Sequence, residues 1–150
     1  MDISPKKQEQ FMRKALELAQ QAREEGEVPV GAIVVYKDMI IGKGYNQSER
    51  LVDATAHAEM IAITAAADYL NSKYLKDCTL FVTLEPCIMC GGAAQWSQLS
   101  QIVYGASDTS KGCFSTNKHL LPKKTKTTAG LLADECAELI NSFFKEKRNY

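Results

Sequence analysis

Phe11, Met12, Ala15, Leu16, Ala19 and Ala22 recur at three- and four-residue intervals, the spacing that lines one face of an α-helix. Ser4 followed by Pro5 supplies an N-cap and a first helical residue, and Gly26 supplies a stop. The pattern then changes. Gly31–Tyr36 (GAIVVY) is apolar and β-branched, Lys37-Asp38 breaks it, and Met39–Gly42 begins a second run, which together predict a hairpin. Thr55–Leu70, rich in Ala, Met and Ile, predicts a buried helix. Thr79–Thr83 (TLFVT) and Gln101–Gly105 (QIVYG) predict two more strands, separated by a short helix that starts at Pro86 and reaches about Gln98. The intervening helix makes those two strands parallel. The stretch from Thr109 to Gly130 is polar, with an edge strand around Lys124–Thr128, and Leu131–Arg148 predicts a last helix. Its acidic start (Asp134, Glu135, Glu138) and basic end (Lys145, Lys147, Arg148) match the helix dipole. The order α-β-β-α-β-α-β-(β)-α predicts an α/β protein, a sheet with helices on its faces.

The 150 residues suffice for one core, so a single domain over 1–150 is expected. No apolar run approaches the roughly 18 residues of a membrane helix, and the first residues hold no signal-peptide core. A cytoplasmic protein is expected. Lys+Arg and Asp+Glu balance at 18 each, so global charge names no nucleic-acid or membrane partner and any such contact must come from local clustering. One cluster exists: Lys111, Lys118, Lys123, Lys124 and Lys126 occur with no intervening acid. It reads equally as a phosphate-binding face or a solvated loop.

The cysteines Cys78, Cys87, Cys90, Cys113 and Cys136 are odd in number, poor material for a disulfide framework. Two of them form Cys87-Ile88-Met89-Cys90, and upstream stands His57-Ala58-Glu59. A CxxC alone can be a redox pair, but that reading leaves His57 and Glu59 idle inside an apolar run where charge is costly. Two thiolates and an imidazole suit zinc, and three protein ligands leave a fourth position for water. Zinc so held lowers the pKa of a bound water from about 15.7 to about 7. Glu59, not needed as a ligand, is then the candidate proton carrier. Residues i and i+2 point apart in a regular helix, so His57 and Glu59 are placed in an irregular first turn.

His-x-Glu followed by Pro-Cys-x-x-Cys resembles the signature of zinc-dependent nucleobase deaminases. Glu27–Ala32, Gly44-Tyr45-Asn46, Thr55–Glu59, Val82–Cys90 and Leu132–Cys136 extend the likeness to the bacterial tRNA-specific adenosine deaminases, over roughly Phe11 to Phe144. The resemblance implies a three-layer α/β/α cytidine-deaminase-like fold with a mixed sheet of about five strands. It also implies a homodimer with one zinc per subunit, which converts the wobble adenosine of a tRNA anticodon to inosine. It makes His57, Cys87 and Cys90 the metal ligands and Glu59 the catalytic proton shuttle. It sets Asn46 against the bound base and Pro29, Val30 and Leu84 in the pocket wall. The chain departs from the family at Asp108-Thr109-Ser110-Lys111-Gly112, where Lys111 is displaced by one position, and at Leu121-Pro122, where members often have His-Pro.

Two rival readings remain. A free-base deaminase acting on guanine or cytosine would use the terminal Tyr150 to close a small pocket. A non-catalytic RNA-binding domain would hold a structural zinc with Cys78, Cys113 or Cys136 as fourth ligand. Gly91-Gly92-Ala93-Ala94 is read as a place of close helix approach, within the chain or across a dimer interface.

Overall fold

The computed structural model describes residues 2–116 and 124–148. Helix α1 spans Pro5–Glu24, with the Ser4 side chain accepting from the Lys7 amide at 3.3 Å, and Gly26 ends it at φ +81°. Strands β1 (Gly31–Tyr36) and β2 (Met39–Tyr45) form the expected hairpin. Its two turn residues, Lys37 and Asp38, both have positive φ, the conformation that matches the twist of a tight hairpin. Then follow α2 (Ala58–Leu70), β3 (Cys78–Leu84), α3 (Ile88–Trp96), β4 (Gln101–Ala106), α4 (Cys113–Thr116), β5 (Lys126–Ala129) and α5 (Ala133–Arg148).

The strand order is β2-β1-β3-β4-β5. β1 runs antiparallel to both neighbours, while β3, β4 and β5 are parallel. Alternate residues of the central strands feed two cores. Ala32, Val34, Leu80, Val82 and Ile102 pack with Ala58, Ala62 and Ala66 of α2 and Ala94 of α3. Ile33, Val35, Phe81 and Val103 pack with Met12 and Ala15 of α1 and Cys136 of α5. The three-layer α/β/α architecture and the mixed five-stranded sheet are as expected.

Several boundaries differ from the sequence reading. α2 begins at Ala58, not Thr55, because Asp53 Oδ1 accepts from both the amide and the hydroxyl of Thr55 (2.8 Å each) and holds the preceding turn out of helix. α3 begins at Ile88, not Pro86: the Pro86 carbonyl accepts from Cys113 N at 2.7 Å, and Cys87 is extended. It ends at Trp96, before Gln98. β5 lies at Lys126–Ala129, one to two residues later than expected, and α5 starts at Ala133 after positive-φ residues Gly130 and Leu132. The four-residue α4 was not anticipated. Lys118, Leu121, Pro122, Lys123 and Tyr150, all named above, lie outside the described residues.

α2 sits close on β2 because Gly42 and Gly44 leave it room. A Cβ on Gly44 would overlap the Ala58 carbonyl and lie 2.8 Å from Ala62 N. The contact seats the first turn of α2, which carries Glu59. Gly44→Ala should therefore cost about 1–3 kcal/mol through backbone overlap, whereas Gln20→Ala, at an exposed position of α1, should change stability by no more than about 0.5 kcal/mol. Urea denaturation of the two variants checks the contrast; equal effects would mean that the α2–β2 approach is not limiting.

Candidate metal centre and active site

Two helices begin at one point. His57 is the N-cap of α2 and Cys87 the N-cap of α3; both backbones are extended and neither side chain caps its own helix. The side chains are left to turn toward each other. Cys90, one turn into α3, completes the group. His57 Nδ1 lies 3.6 Å from Cys87 Sγ and 3.5 Å from Cys90 Sγ, and all three donor atoms lie within 4.8 Å of one another. A tetrahedral zinc bonded at about 2.1 Å to nitrogen and about 2.3 Å to sulfur sets N and S roughly 3.6 Å apart. The donor set therefore fits zinc in chemistry and in spacing. Among the described residues the group holds no fourth member. Cys78, Cys113 and Cys136, the fourth ligands of the structural-zinc reading, are buried elsewhere.

The electrostatics favour a ligand set. The Cys87 thiol is held down to about 4 by its hydrogen bond from Cys90, helped by His57 and opposed by burial. His57 is raised, first by its bond to Cys87. Cys90 is raised, first because it is the partner that keeps its proton beside Cys87 and then by burial. As a zinc ligand Cys90 would be a thiolate and would give up that proton. Cys78, Cys113 and Cys136 are each pushed up to about 11, chiefly by burial.

Glu59 is the second residue of α2 and is 4% exposed. Burial pushes its carboxyl up to about 7. The His57 N-cap resolves the i, i+2 geometry: the ligand precedes the helix and Glu59 lies within it, so both reach the same space. That space is a cavity of about 630 Å³ whose wall includes His57, Glu59 and Cys87. Asn46, Val30 and Leu84 line it as well; Pro29 is buried next in sequence but is not part of the lining. Asn46 is itself positioned, its Oδ1 accepting from Ser48 N at 3.2 Å and its amide donating to the Val28 carbonyl at 3.3 Å. Lys111 stands in the wall, as do Ile140, Asn141 and Phe144 of α5, one turn before the exposed Lys145, Lys147 and Arg148.

Two carboxylates were not singled out from sequence. Glu27 (1% exposed) accepts from the amides of Glu49 and Arg50 at 3.0 and 2.8 Å, and so holds the loop between Asn46 and His57. Glu85 (2% exposed) accepts from the amides of Asp108, Phe114 and Ser115 and from the Ser115 hydroxyl. The available signal was a glutamate at the end of the apolar run of β3, where an unpaired charge cannot rest.

The profile of the cytidine and deoxycytidylate deaminase zinc-binding region matches residues 5–106, which include His57, Glu59, Cys87 and Cys90. The chain belongs to this deaminase family. Within the family it is 43% identical to the tRNA-specific adenosine deaminase of Aquifex aeolicus, covering 94% of this chain and 96% of that one. It is 39% identical to the enzyme of that name from Bacillus subtilis, covering 93% and 90%. A solved structure from work on A-to-I editing by tRNA:A34 deaminases superposes with a TM-score of 0.82 at 35% identity, covering 87% of this chain and 98% of that one. A guanine deaminase from Bacillus subtilis is 38% identical, but with a TM-score of 0.64 and coverage of 67% and 65%. The zinc cofactor of the deaminase family thus has its three donors assembled here.

Cys87→Ala or Cys90→Ala should remove zinc measured by elemental analysis, while Cys113→Ala and Cys136→Ala retain it. The low Cys87 value adds a pH test. In metal-free protein Cys87 is thiolate at every pH well above 4, so alkylation by iodoacetamide should change little between pH 6 and 8, and added zinc should block it. A rate that climbs about tenfold per pH unit, as for an ordinary thiol, would contradict the site geometry.

Proposed function

We propose that this deaminase hydrolyses adenosine to inosine at the wobble position of a tRNA anticodon. The observation that carries the reading is a buried carboxyl, Glu59, beside a three-donor metal cluster in the wall of a cavity large enough for a purine nucleoside. The substrate class is supported by relatives named tRNA-specific adenosine deaminases that match almost end to end.

His57, Cys87 and Cys90 hold the zinc, one per subunit. Zinc, when bound, supplies a Lewis acid that activates water near neutral pH. The wobble base already lies in a loop, so turning it into the cavity costs a few kcal/mol. Val30 and Leu84 flank the base, and Asn46, held by Ser48 and Val28, offers its remaining amide hydrogen and lone pair to it. Glu59 takes a proton from water and delivers it to N1 of the adenine as oxygen adds at C6. It then passes the second proton to the amino group, which leaves as ammonia. Water is consumed and the ring keeps a carbonyl, so atoms balance.

We place the tRNA over Lys111, in the cavity wall, and over the basic end of α5, which follows the wall residues Ile140, Asn141 and Phe144. This arrangement favours RNA over a free base, for which the cavity's charged rim has no use. We place the protein in the cytoplasm with its substrate; no helix among the described residues is long and apolar enough to cross a membrane. We read 1–150 as one deaminase domain, active as a homodimer. Ile88, Gly92 and Trp96 recur every four residues along α3, with Ile88 and Trp96 exposed (53% and 83%) and open space over Gly92. The neighbouring Gly91 and Ala94 pack inward. An apolar stripe of that kind suits a second copy of the chain.

Three experiments test these statements. With an anticodon stem-loop, wild-type protein should form inosine, while free adenine, guanine and cytosine should not react, because flanking nucleotides supply the binding energy that positions the base. Glu59→Ala should keep zinc and thermal stability but lose at least about 10²–10⁴-fold in rate. Xanthine or uracil from free bases, with no inosine in RNA, would transfer the case to the free-base reading. Separately, Trp96→Glu should shift the protein from dimer to monomer in sedimentation velocity; a wild-type monomer would remove the dimer from the reading.

A further inference from the structure

Glu85 is not among the converging metal donors, yet it is nearly inaccessible and saturated with hydrogen bonds. Its Oε1 accepts from Asp108 N at 3.0 Å and from Ser115 Oγ at 2.8 Å. Its Oε2 accepts from Phe114 N at 3.0 Å and Ser115 N at 2.8 Å. All four donors belong to one segment, 108–115. That segment contributes Asp108 through Lys111 to the cavity wall. Asp108 in turn folds its own side chain inward, Oδ1 accepting from Ser110 N, Ser110 Oγ and Lys111 N at 2.9–3.1 Å. Gly112 gives the carboxylate room to lie against the chain, since a Cβ there would overlap Glu85.

The other end of Glu85 belongs to the metal turn. It precedes Pro86 and Cys87 directly, its amide donates to the Ala106 carbonyl at 2.8 Å, Cys113 N donates to the Pro86 carbonyl at 2.7 Å, and Cys87 bridges Gly112. A buried carboxylate that meets only neutral donors is an expensive way to hold a loop. Apolar packing stabilises a fold as well without desolvating a charge. What four charge-assisted bonds add is direction: they fix where 108–111 stands relative to Cys87.

We propose that Glu85 is a positioning residue that sets the substrate-facing segment 108–111 in register with the metal turn, and so controls how the nucleotides around the reacting base are gripped. The proposal rests on the RNA reading above for its substrate, but the bond network it invokes does not.

The test uses zinc-loaded, full-length protein and Glu85→Gln. The Ser115 hydroxyl can rotate to accept from the new amide, so the donor left without an acceptor is Asp108 N–H, in the cavity wall. Amide hydrogen exchange at Asp108 should accelerate at least about tenfold while amides of β3 and β4 stay protected, and zinc content should not change. The KM for the anticodon stem-loop should rise about tenfold with kcat within about threefold of wild type, the mark of lost ground-state and transition-state grip alike. Ser115→Ala, which removes one of the four bonds and is the milder change, should move exchange and KM the same way by about two- to threefold. It carries the test if Glu85→Gln does not fold. Unchanged exchange and unchanged KM would overturn the proposal. So would loss of zinc, or a fall in kcat at constant KM, either of which would assign Glu85 to the metal turn alone. If wild-type protein does not deaminate RNA, the substrate reading fails, and the exchange and zinc measurements still decide whether Glu85 registers the wall.

Discussion

Everything chemical in this protein depends on two helices starting at the same place. β2 and β3 both run opposite to β1 and so point the same way, which brings the loops leaving their C-terminal ends to one edge of the sheet. Each loop ends in a residue that is an N-cap by position but not by bonding, His57 for α2 and Cys87 for α3. Freed from capping, these side chains face each other at 3.6 Å, and the helix ends contribute partial positive charge where thiolates gather. Open α/β sheets commonly bind ligands at the carboxyl ends of their strands, because there the loops are free to diverge in sequence while the strands stay fixed.

The close seating of α2 on β2 serves the same end. Gly42 and Gly44 allow backbone contact with Ala58 and Ala62, and the position of α2 decides where Glu59 stands. A carboxyl at that point is buried, with its proton affinity raised by burial. Its neighbour Ala58 is wholly buried in the core, so the helix cannot rotate to release Glu59 to solvent.

Two further glutamates use burial differently. Glu27 and Glu85 accept backbone amides from the loops on either side of the cavity. Anchored carboxylates give these loops defined positions while leaving their outer faces polar, which a nucleic-acid substrate requires.

The chemistry was legible in the chain because it is written in short-range spacing. Cys87 and Cys90 are one helical turn apart, and His57-Ala58-Glu59 interrupts an apolar run in a way that demands use. The strands of the central sheet were legible for a related reason: β1, β3 and β4 are apolar on both faces, and continuous runs such as GAIVVY admit few other readings. The tertiary structure decided the rest. Whether α2 began at Thr55 or Ala58 depended on Asp53 capturing Thr55. Whether Pro86 opened α3 depended on Cys113, 27 positions away, donating to its carbonyl. α4 exists as four residues, two of whose amides, those of Phe114 and Ser115, are met by Glu85, a partner that no local pattern reveals. Local periodicity reports which face of an element is buried; the ends of elements, and the loops that form the cavity, are set by hydrogen bonds between residues distant in sequence. That is why the three converging donors could be named from the chain, while the residues that hold the cavity's walls came only with the fold.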